Sequence, residues 1–304
     1  MYDIIVIGAG PAGLTSALYA RRAEKSVLVI EKAAFGGQIT HSPRVENYPG
    51  FVEISGSELA EKLLEQVMAQ GADIELDTVK AIEGVPGDYT VACEFGSHKA
   101  KSVIIAAGSK HRTLGIEGEE RYTGEGISYC AVCDGAFYKG KTVAIIGGGN
   151  SALVEASLLA DGCEKVYIVQ NLDFLTGEKN LATRLQARDN VEIILSNVVS
   201  EIIGGENFGG IKIKNEKTGE IRDLLVDGMF VAIGQKPENE PFAAVAKLNS
   251  YGYIEAGEDC RPEGAPDGIF VAGDCRSKTI RQIATATADG AVAALAACRF
   301  IDSL

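Results

Sequence analysis

The chain has no tryptophan, only 3 histidines, and fewer basic than acidic side chains. The lack of tryptophan removes the residue best suited to large cores and membrane interfaces. The histidines, His41, His98 and His111, are far apart in sequence and offer no paired ligands for a zinc site. A formal charge of -13 argues against a nucleic-acid partner, because phosphate binding requires clustered cations.

Long apolar runs and targeting segments are also missing. No run approaches the roughly 20 residues of a membrane-spanning helix, so we expect no membrane partner. Residues 1–3 lead straight into an apolar strand without a basic segment, which argues against a secretory signal. We therefore expect a cytoplasmic protein, in which a CxxC pair indicates redox chemistry or metal binding more often than a structural disulfide.

The order of apolar segments predicts the fold class. A chain of 304 residues suffices for about two domains, and 36 glycines indicate many tight turns. A β-branched run at residues 4–7, a helical pattern at 14–22 and an apolar run at 27–30 form a βαβ unit. The same order returns within residues 142–169. The sequence thus predicts an α/β fold with two Rossmann-like, three-layer (ββα) dinucleotide-binding domains.

Turn signals set the expected domain boundaries. A glycine pair near residues 115–118 and a proline pair at 237–241 favour connecting segments, which gives domains of 1–114, 115–238 and 239–304. If the last segment packs on the first, the middle domain is an insertion. Further elements are expected as strands over 74–79, 89–94, 103–106 and 228–233 and as helices over 57–70 and 283–301.

The first glycine fingerprint carries Gly8, Gly10 and Gly13 between a strand and a helix. Such glycines allow a tight turn, close approach of a pyrophosphate and close helix packing, and the helix N-terminus offers amide donors to the anion. Glu31 ends the next strand, where an acid accepts the hydroxyls of an adenosine ribose. This combination favours FAD or NAD binding over a simple tight turn.

A CxxC pair, Cys130 and Cys133, lies between the two fingerprints and is followed by Asp134. Two such thiols can close a small ring, and Asp134 could pass the proton. The alternatives are half of a zinc site, which would need further ligands, or two incidental buried thiols. The other five cysteines are scattered singly and are interpreted as small apolar core residues: Cys93, Cys163, Cys260, Cys275 and Cys298.

Seven ordered sequence blocks resemble the low-molecular-weight thioredoxin reductases over essentially the whole chain. The blocks are GAGPAG at 8–13, GGQIT at 36–40, VENYPG at 45–50, AG at 107–108, CAVCD at 130–134, GD at 273–274 and RQI at 281–283. The resemblance implies an FAD domain built from both chain ends, an inserted nucleotide-binding-like domain carrying the CxxC pair, and a homodimer.

The resemblance also implies a role for individual residues. Cys133 would be the thiol next to the flavin, Cys130 the thiol that forms the mixed disulfide with thioredoxin, and Asp134 the acid/base. The residues that would line FAD are Gly8, Gly10, Pro11, Ala12, Gly13, Glu31, Gly37, Gln38, Asn47, Val79, Gly108, Asp274, Arg281, Gln282 and Ile283.

The second fingerprint, GGGNSA at 147–152, departs from the NADPH-using members of that family. There the following strand ends in His-Arg-Arg with a further Arg beyond it; here those positions are Gln170, Asn171, Leu172 and Thr176. Loss of three guanidiniums removes charge-assisted contacts to the adenosine phosphate, and the acid expected for NADH is missing too. The pattern looks like the ferredoxin-dependent flavin thioredoxin reductases, which keep FAD and the CxxC pair.

Three functions follow from these observations. The first is a thioredoxin reductase fed by ferredoxin, the second an NAD(P)H-dependent thioredoxin reductase with an atypical pocket, and the third a redox-sensing flavoprotein without turnover. An acidic ferredoxin would need a local basic patch on this acidic chain. The candidates are Lys99, Lys101, Lys110, Arg112, Arg276 and Lys278.

Overall fold

Each of the two glycine-rich turns connects a buried strand to a helix in a separate unit of the protein. The structure, a computed structural model, describes all 304 residues. Unit 1 comprises Met1–Lys110 and Lys236–Leu304, and unit 2 comprises His111–Gln235. The chain leaves unit 1 after Lys110, four residues before the boundary expected after residue 114. It re-enters unit 1 at Lys236, three residues before the expected start at residue 239.

The strands are β1 (Tyr2–Ile7), β2 (Val27–Glu31), β3 (Asp73–Leu76), β4 (Val79–Val85), β5 (Asp88–Cys93), β6 (Ser97–Ile105), β7 (Ser109–His111), β8 (Ile127–Ser128), β9 (Thr142–Ile146), β10 (Lys165–Val169), β11 (Val191–Ile194), β12 (Asn197–Gly204), β13 (Phe208–Asn215), β14 (Ile221–Leu224), β15 (Gly228–Val231), β16 (Gln235–Pro237) and β17 (Ile269–Val271). The helices are α1 (Pro11–Arg22), α2 (Gly56–Ala69), α3 (Glu119–Tyr122), α4 (Ala131–Asp134), α5 (Asn150–Gly162), α6 (Lys179–Gln186) and α7 (Ile283–Asp302). The strand expected over 74–79 is divided between β3 and β4, because Asp77 leaves the sheet and accepts amide hydrogens from Thr78 and Glu94.

Unit 1 is built on a seven-stranded sheet in the order β3-β2-β1-β6-β5-β4. β17 pairs in parallel with the end of β6, while β4, β5 and the start of β6 are antiparallel. Ile4 and Val6 pack into the core that contains α1 and α7, and Ile5 and Ile7 pack into the core on the opposite face. Burial on both faces explains why β1 is a continuous apolar run.

Helix α7 meets the length and composition of a membrane-spanning segment, contrary to the expectation from the sequence. Its small residues Gly290, Ala293 and Ala297 face the core of unit 1, and the Ser16 hydroxyl on α1 donates to the Gly290 carbonyl oxygen at 3.1 Å. Because this face packs closely on α1, we interpret α7 as a core helix. Alanine makes such helices apolar without making them lipid-facing.

Unit 2 repeats the same construction around a parallel sheet in the order β11-β10-β9-β15-β8. Val143 and Ile145 of β9 pack on the side of α5, and Ala144 and Ile146 pack on the side of a second, antiparallel sheet, β12-β13-β14. Strands β7 and β16, where the chain passes between the units, pair with each other. The predicted α/β class with two Rossmann-like domains is confirmed.

Candidate functional site

The glycine turn of unit 1 leaves open space in front of helix α1. Gly8 has φ +105°, and a Cβ there would lie 2.3 Å from the Ala106 carbonyl oxygen; a Cβ on Gly13 would lie 1.8 Å from the Gly8 carbonyl oxygen. These two glycines are required by the fold itself. Gly10 differs, because its backbone is extended and the nearest atom to a Cβ would be the Gly36 carbonyl oxygen at 3.9 Å. Nothing in the protein requires glycine there, which points to a ligand lying against this turn.

Glu31 closes one side of that turn from the end of β2. One carboxylate oxygen accepts the Ala9 amide hydrogen at 2.8 Å, and the other accepts that of Ala33 at 2.9 Å. The side chain is therefore held in place while each oxygen keeps a free lone pair. This is the arrangement that ribose hydroxyls require of an acid at this position.

Asp274 reaches the glycine turn from the second part of unit 1. It lies in the short helix Gly273–Cys275 directly after β17, and a Cβ on Gly273 would be 2.8 Å from Ala12 Cβ. Oδ1 of Asp274 is buried and has no hydrogen-bond partner in the protein. Burial raises the pKa of Asp274, opposed by the charges of Lys278 and Arg281. An orphaned carboxylate oxygen beside the glycine turn is explained by a hydroxyl donor from a ligand.

A buried ion cluster holds the Asp274 loop in position. Asp289 of α7 accepts from the Gly273 amide at 3.1 Å and forms ion pairs with Arg276 at 3.0 Å and Lys278 at 2.8 Å. The expectation that Arg276 and Lys278 contribute to a surface patch is therefore wrong, because both side chains are largely buried against Asp289. Three other candidates are paired with acids of their own unit: Lys99 with Asp88, Lys101 with Asp3, and Lys110 with Glu238.

The start of α7 contacts one further predicted residue, Asn47. Gln282 is the N-cap of α7, and its Oε1 accepts from Asn47 Nδ2 at 3.2 Å. The Arg281 guanidinium lies 4.2 Å from the centre of the Tyr253 ring, while its buried Nε has no hydrogen-bond partner. The other predicted residues of unit 1 occupy the α1 turn (Pro11, Ala12), the helix Gly37–His41 (Gly37, Gln38), the start of β4 (Val79), the turn after β6 (Gly108) and the first residue of α7 (Ile283).

The dithiol of unit 2 is closed as a disulfide between Cys130 and Cys133, with a Cα–Cα distance of 5.3 Å. Cys130 is the N-cap of α4, and its sulfur accepts the Cys133 amide hydrogen at 3.2 Å. Val132, between the two cysteines, is 54% exposed. The pair is thus at the surface of unit 2, and backbone donors at the start of a helical turn favour a thiolate on Cys130.

Asp134 lies beside the disulfide in a partly buried position. Its Oδ2 accepts from the Ser128 hydroxyl at 2.6 Å, and its Oδ1 is buried without a hydrogen-bond partner. Burial raises the pKa of Asp134, and the bond from Ser128 opposes this shift. The carboxyl therefore retains a proton at higher pH than an exposed aspartic acid, as an acid/base beside a thiol requires.

Two further polar groups, Ser128 and Glu155, contact the dithiol segment and were not among the predicted site residues. The Ser128 hydroxyl accepts the Cys130 amide hydrogen at 3.1 Å, and Glu155 of α5 accepts the Ala131 amide hydrogen at 3.2 Å. Burial raises the pKa of Glu155 to about 7. Neither residue belongs to a sequence motif, and only the packing of α4 on α5 brings Glu155 to the disulfide.

The shifted pKa of Glu155 predicts a pH-dependent stability. Between pH 4.5 and about 7, the unfolded chain loses the Glu155 proton while the folded protein keeps it, so the stability present at low pH declines over this window. Glu155→Gln removes the effect. The variant should match the parent protein below pH 4.5 and become progressively more stable than it up to about pH 7, in urea unfolding at each pH. A constant difference between the two proteins would contradict this assignment.

The glycine turn of unit 2 is covered by the protein's own chain. Amides of Thr176 and Gly177 both donate to the Gly148 carbonyl oxygen at 2.9 Å, and the Glu178 amide donates to Asn150 Oδ1 at 2.7 Å. A Cβ on Gly177 would lie 3.1 Å from the Asn150 backbone nitrogen, at the start of α5. Residues 171–178 therefore pack against the start of α5. Unit 1 has the same kind of contact, since the Gly36 amide donates to the Ala9 carbonyl oxygen at 2.8 Å.

Gln170 packs against this turn. It is buried at the end of β10, and a Cβ on Gly148 would lie 2.7 Å from its side-chain Cδ. Gly148 corresponds to Ala9 of unit 1, so Gln170 packs on a position that is not a glycine there. The counterpart of Gly10 is Gly149, where the nearest atom to a Cβ would be Thr176 Oγ1 at 3.7 Å, so this position is about as open as Gly10.

Two dinucleotide-type units, together with a surface CxxC disulfide, define a disulfide oxidoreductase. A family model for pyridine nucleotide-disulphide oxidoreductases matches residues 2–290, and the chain belongs to that family. Thioredoxin reductases of Bacillus subtilis and Listeria innocua are 41% and 40% identical to it, over 100% of this chain and 96% and 95% of theirs.

Solved structures show the same similarity. The thioredoxin reductase of Streptococcus pyogenes is 41% identical with a TM-score of 0.95, covering 100% of this chain and 99% of that chain. That of Giardia duodenalis is 32% identical with a TM-score of 0.92, covering 99% of each chain. A further relative, 41% identical over 98% of this chain and 97% of its own length, is the "34.2 kDa protein in rubredoxin operon" of Clostridium pasteurianum.

The chain is a flavoprotein that binds FAD, as is shown by its family and relatives. The residues of unit 1 fit this cofactor. Gly10 leaves room for a pyrophosphate at the start of α1, and the buried Asp274 Oδ1 and Arg281 Nε lack partners that a polar cofactor would provide.

Proposed function

We propose that the protein is a thioredoxin reductase that receives its electrons from reduced ferredoxin rather than from NADPH or NADH. The observation that carries the choice of donor is the set of residues after β10. Gln170 is buried where unit 1 has Glu31, its side-chain amide donates to the Phe174 carbonyl oxygen at 3.4 Å, and no arginine follows at Asn171, Leu172 or Thr176. The surface CxxC pair and the names of the relatives support the choice of substrate. We further propose that unit 1 is the FAD-binding domain, with unit 2 inserted into it.

Unit 1 would hold FAD through the residues predicted from the sequence. The start of α1 would bind the pyrophosphate, Glu31 the adenosine ribose and Asp274 a hydroxyl of the ribityl chain. Val79 would pass the adenine, while Gln38 and Asn47 would face the flavin end. When bound, FAD supplies the ability to collect two single electrons and to deliver them as a pair to a disulfide.

The dithiol would then carry the pair to thioredoxin. Two electrons and two protons convert the Cys130–Cys133 disulfide to two thiols, with Asp134 holding a proton beside Cys133. The Cys130 thiolate attacks the thioredoxin disulfide and forms a mixed disulfide, and one thioredoxin thiolate leaves. Cys133 then attacks the Cys130 sulfur, which releases the second thioredoxin thiolate and restores the disulfide. The exposed position of Val132 beside Cys130 leaves room for the protein substrate.

Two observations argue against a nicotinamide donor. Gln170 is buried at the position that Glu31 holds in unit 1, so no carboxylate is present there for an adenosine ribose, and its side-chain amide donates to the Phe174 carbonyl oxygen. No basic side chain replaces the missing arginines, since the corresponding positions hold Asn171, Leu172 and Thr176. A dianionic 2′-phosphate would find no charge-assisted partner there.

A one-electron donor also agrees with one relative. The Clostridium pasteurianum protein is described as belonging to a rubredoxin operon, and rubredoxin, like ferredoxin, is an iron–sulfur carrier of single electrons. This supports a small iron–sulfur protein as the donor class.

Anaerobic stopped-flow spectroscopy tests the donor. Reduced ferredoxin should bleach the flavin absorbance of the purified protein within seconds, whereas stoichiometric NADPH or NADH should leave it unchanged. Asn171→Arg combined with Leu172→Arg should not create rapid NADPH reduction, because the position of the third arginine is still occupied by the uncharged Thr176.

Two outcomes would redirect the proposal. Rapid bleaching by NADPH or NADH, with none by ferredoxin, would establish the NAD(P)H-dependent alternative. In that case the same double substitution should change cofactor preference. Bleaching without steady thioredoxin-coupled reduction of insulin would leave the non-turnover redox sensor.

Assembly and location complete the proposal. We propose a homodimer, which sedimentation equilibrium should show at about twice the chain mass of 32.0 kDa. We place the enzyme in the cytoplasm, where thiols stay reduced. A monomer at micromolar concentration would overturn the dimer without affecting the proposed chemistry.

A further inference from the structure

The dithiol segment has a carboxyl group on its Cys130 side that the reaction described above does not use. Glu155 Oε2 accepts the amide hydrogen of Ala131, the residue directly after Cys130, at 3.2 Å. Glu155 projects from α5, on which α4 packs, so its position does not depend on the flexible tip of a loop.

The groups around Glu155 make this carboxyl sensitive to the redox state of the dithiol. Titratable and charged groups on the elements packed against α5 are Asp134, Cys133 and Tyr138 on the dithiol side, Lys179 and Arg184 on α6, and Lys165 and Tyr167 on β10. Lys165 is paired with Glu192. Among the groups whose charge changes during turnover, the Cys130 thiol belongs to the residue directly before Ala131, whose amide Glu155 binds.

We propose that Glu155 is a positioning residue for Cys130, whose carboxyl takes up a proton as the Cys130 thiolate forms and gives it back when that thiolate is consumed. This inference rests on the proposed dithiol chemistry and adds a second carboxyl to it. Asp134 serves the Cys133 side, and Glu155 serves the Cys130 side.

Electrostatics gives the direction of the coupling. The disulfide is neutral, and its reduction with two electrons and two protons gives two thiols. Loss of the Cys130 proton places a negative charge next to the carboxylate that shares the start of α4, and two like charges in a partly buried site disfavour each other. A proton on Glu155 removes this repulsion, so the thiolate forms at lower pH. Burial already raises the pKa of Glu155 to about 7, which makes the exchange possible at neutral pH.

Alkylation of Cys130 tests the coupling without thioredoxin, donor or turnover. In a Cys133→Ser background, the rate of iodoacetamide labelling at Cys130 is followed by peptide mass spectrometry from pH 5.5 to 9. Adding Glu155→Gln should leave the rate unchanged near pH 5.5, where the carboxyl is protonated. At pH 7.5 it should raise the rate roughly 3- to 5-fold, which corresponds to a thiol pKa lower by about half to one unit from an ordinary value of about 8.5.

The matched control is Glu164→Gln, an exposed charge change on the same unit. This control substitution should leave the labelling rate of Cys130 unchanged at every pH. If Glu155→Gln changes the rate by the same factor at every pH, Glu155 only holds the helix start and the proposal is wrong. A change equal to that of the control would also overturn it.

A second measurement needs no substitution at Glu155. The pH titrations of the glutamate carboxyl ¹³C resonances are compared between the oxidised and the dithiothreitol-reduced protein. The resonance whose titration midpoint lies near neutral pH is assigned to Glu155. Its midpoint should rise by roughly half a unit or more on reduction. An unchanged midpoint would refute the coupling, while the proposed thioredoxin reductase activity would stand.

Discussion

Cys133→Ser is expected to reduce thioredoxin-coupled turnover on the order of 10⁴-fold, as removal of a covalent catalytic group does elsewhere. Without Cys133 the disulfide cannot form, so electrons held by the flavin have no acceptor in the protein. Reduction of the flavin by its donor should continue. The measurement is insulin reduction through thioredoxin, with flavin absorbance followed in parallel.

The two cysteines should differ in a trapping experiment. Reduced Cys133→Ser protein should form a stable mixed disulfide with thioredoxin through Cys130, whereas Cys130→Ser should not. Cys93→Ser is the matched control, because Cys93 is a partly buried single thiol on unit 1, and it should retain full turnover. If Cys133→Ser kept more than a tenth of the activity, the dithiol would not be the route to thioredoxin.

Gly10→Ala should lower FAD affinity by roughly 100-fold, or about 3 kcal/mol, without destabilising the folded chain. Its extended backbone accepts alanine, and the nearest protein atom to the new Cβ is 3.9 Å away. The methyl group would instead occupy the space where a pyrophosphate approaches α1. FAD affinity is measured by flavin fluorescence quenching on titration into apoprotein, and stability by urea unfolding of the same apoprotein.

Gly13→Ala is the contrasting variant three residues further on. Its Cβ would lie 1.8 Å from the Gly8 carbonyl oxygen, so the turn and α1 must move apart. We expect a loss of about 2–3 kcal/mol in the free energy of unfolding even without cofactor. If Gly10→Ala bound FAD as tightly as the parent protein, the pyrophosphate would not lie at this turn.

The site of unit 1 was largely accessible from the sequence because its motifs are local. A strand, a glycine turn and a helix are adjacent in the chain, and the acid that completes them, Glu31, ends the next strand. The CxxC pair is also local, since four residues bring both sulfurs into bonding distance. Such patterns require only the chain's own backbone geometry.

Other features could not be predicted, because they depend on contacts between distant segments. Arg276 and Lys278 read as surface charges, yet Asp289 on α7 draws both into a buried cluster. Glu155 has no motif around it, and it reaches Ala131 only because α4 packs on α5. The sequence did not indicate which alanines of α7 would face α1.

The sequence by itself determined the α/β class, the two glycine turns, the redox dithiol and the loss of the basic clasp after β10. Each of these follows from residue type and short spacing along the chain. Only the tertiary structure decided what the side chain after each second strand does. Glu31 and Gln170 each lie 23 residues after the first glycine of their turn, so spacing does not distinguish them. Glu31 accepts the Ala9 and Ala33 amide hydrogens, whereas Gln170 packs on Gly148 and donates to the Phe174 carbonyl oxygen, because the segments folded around each residue differ.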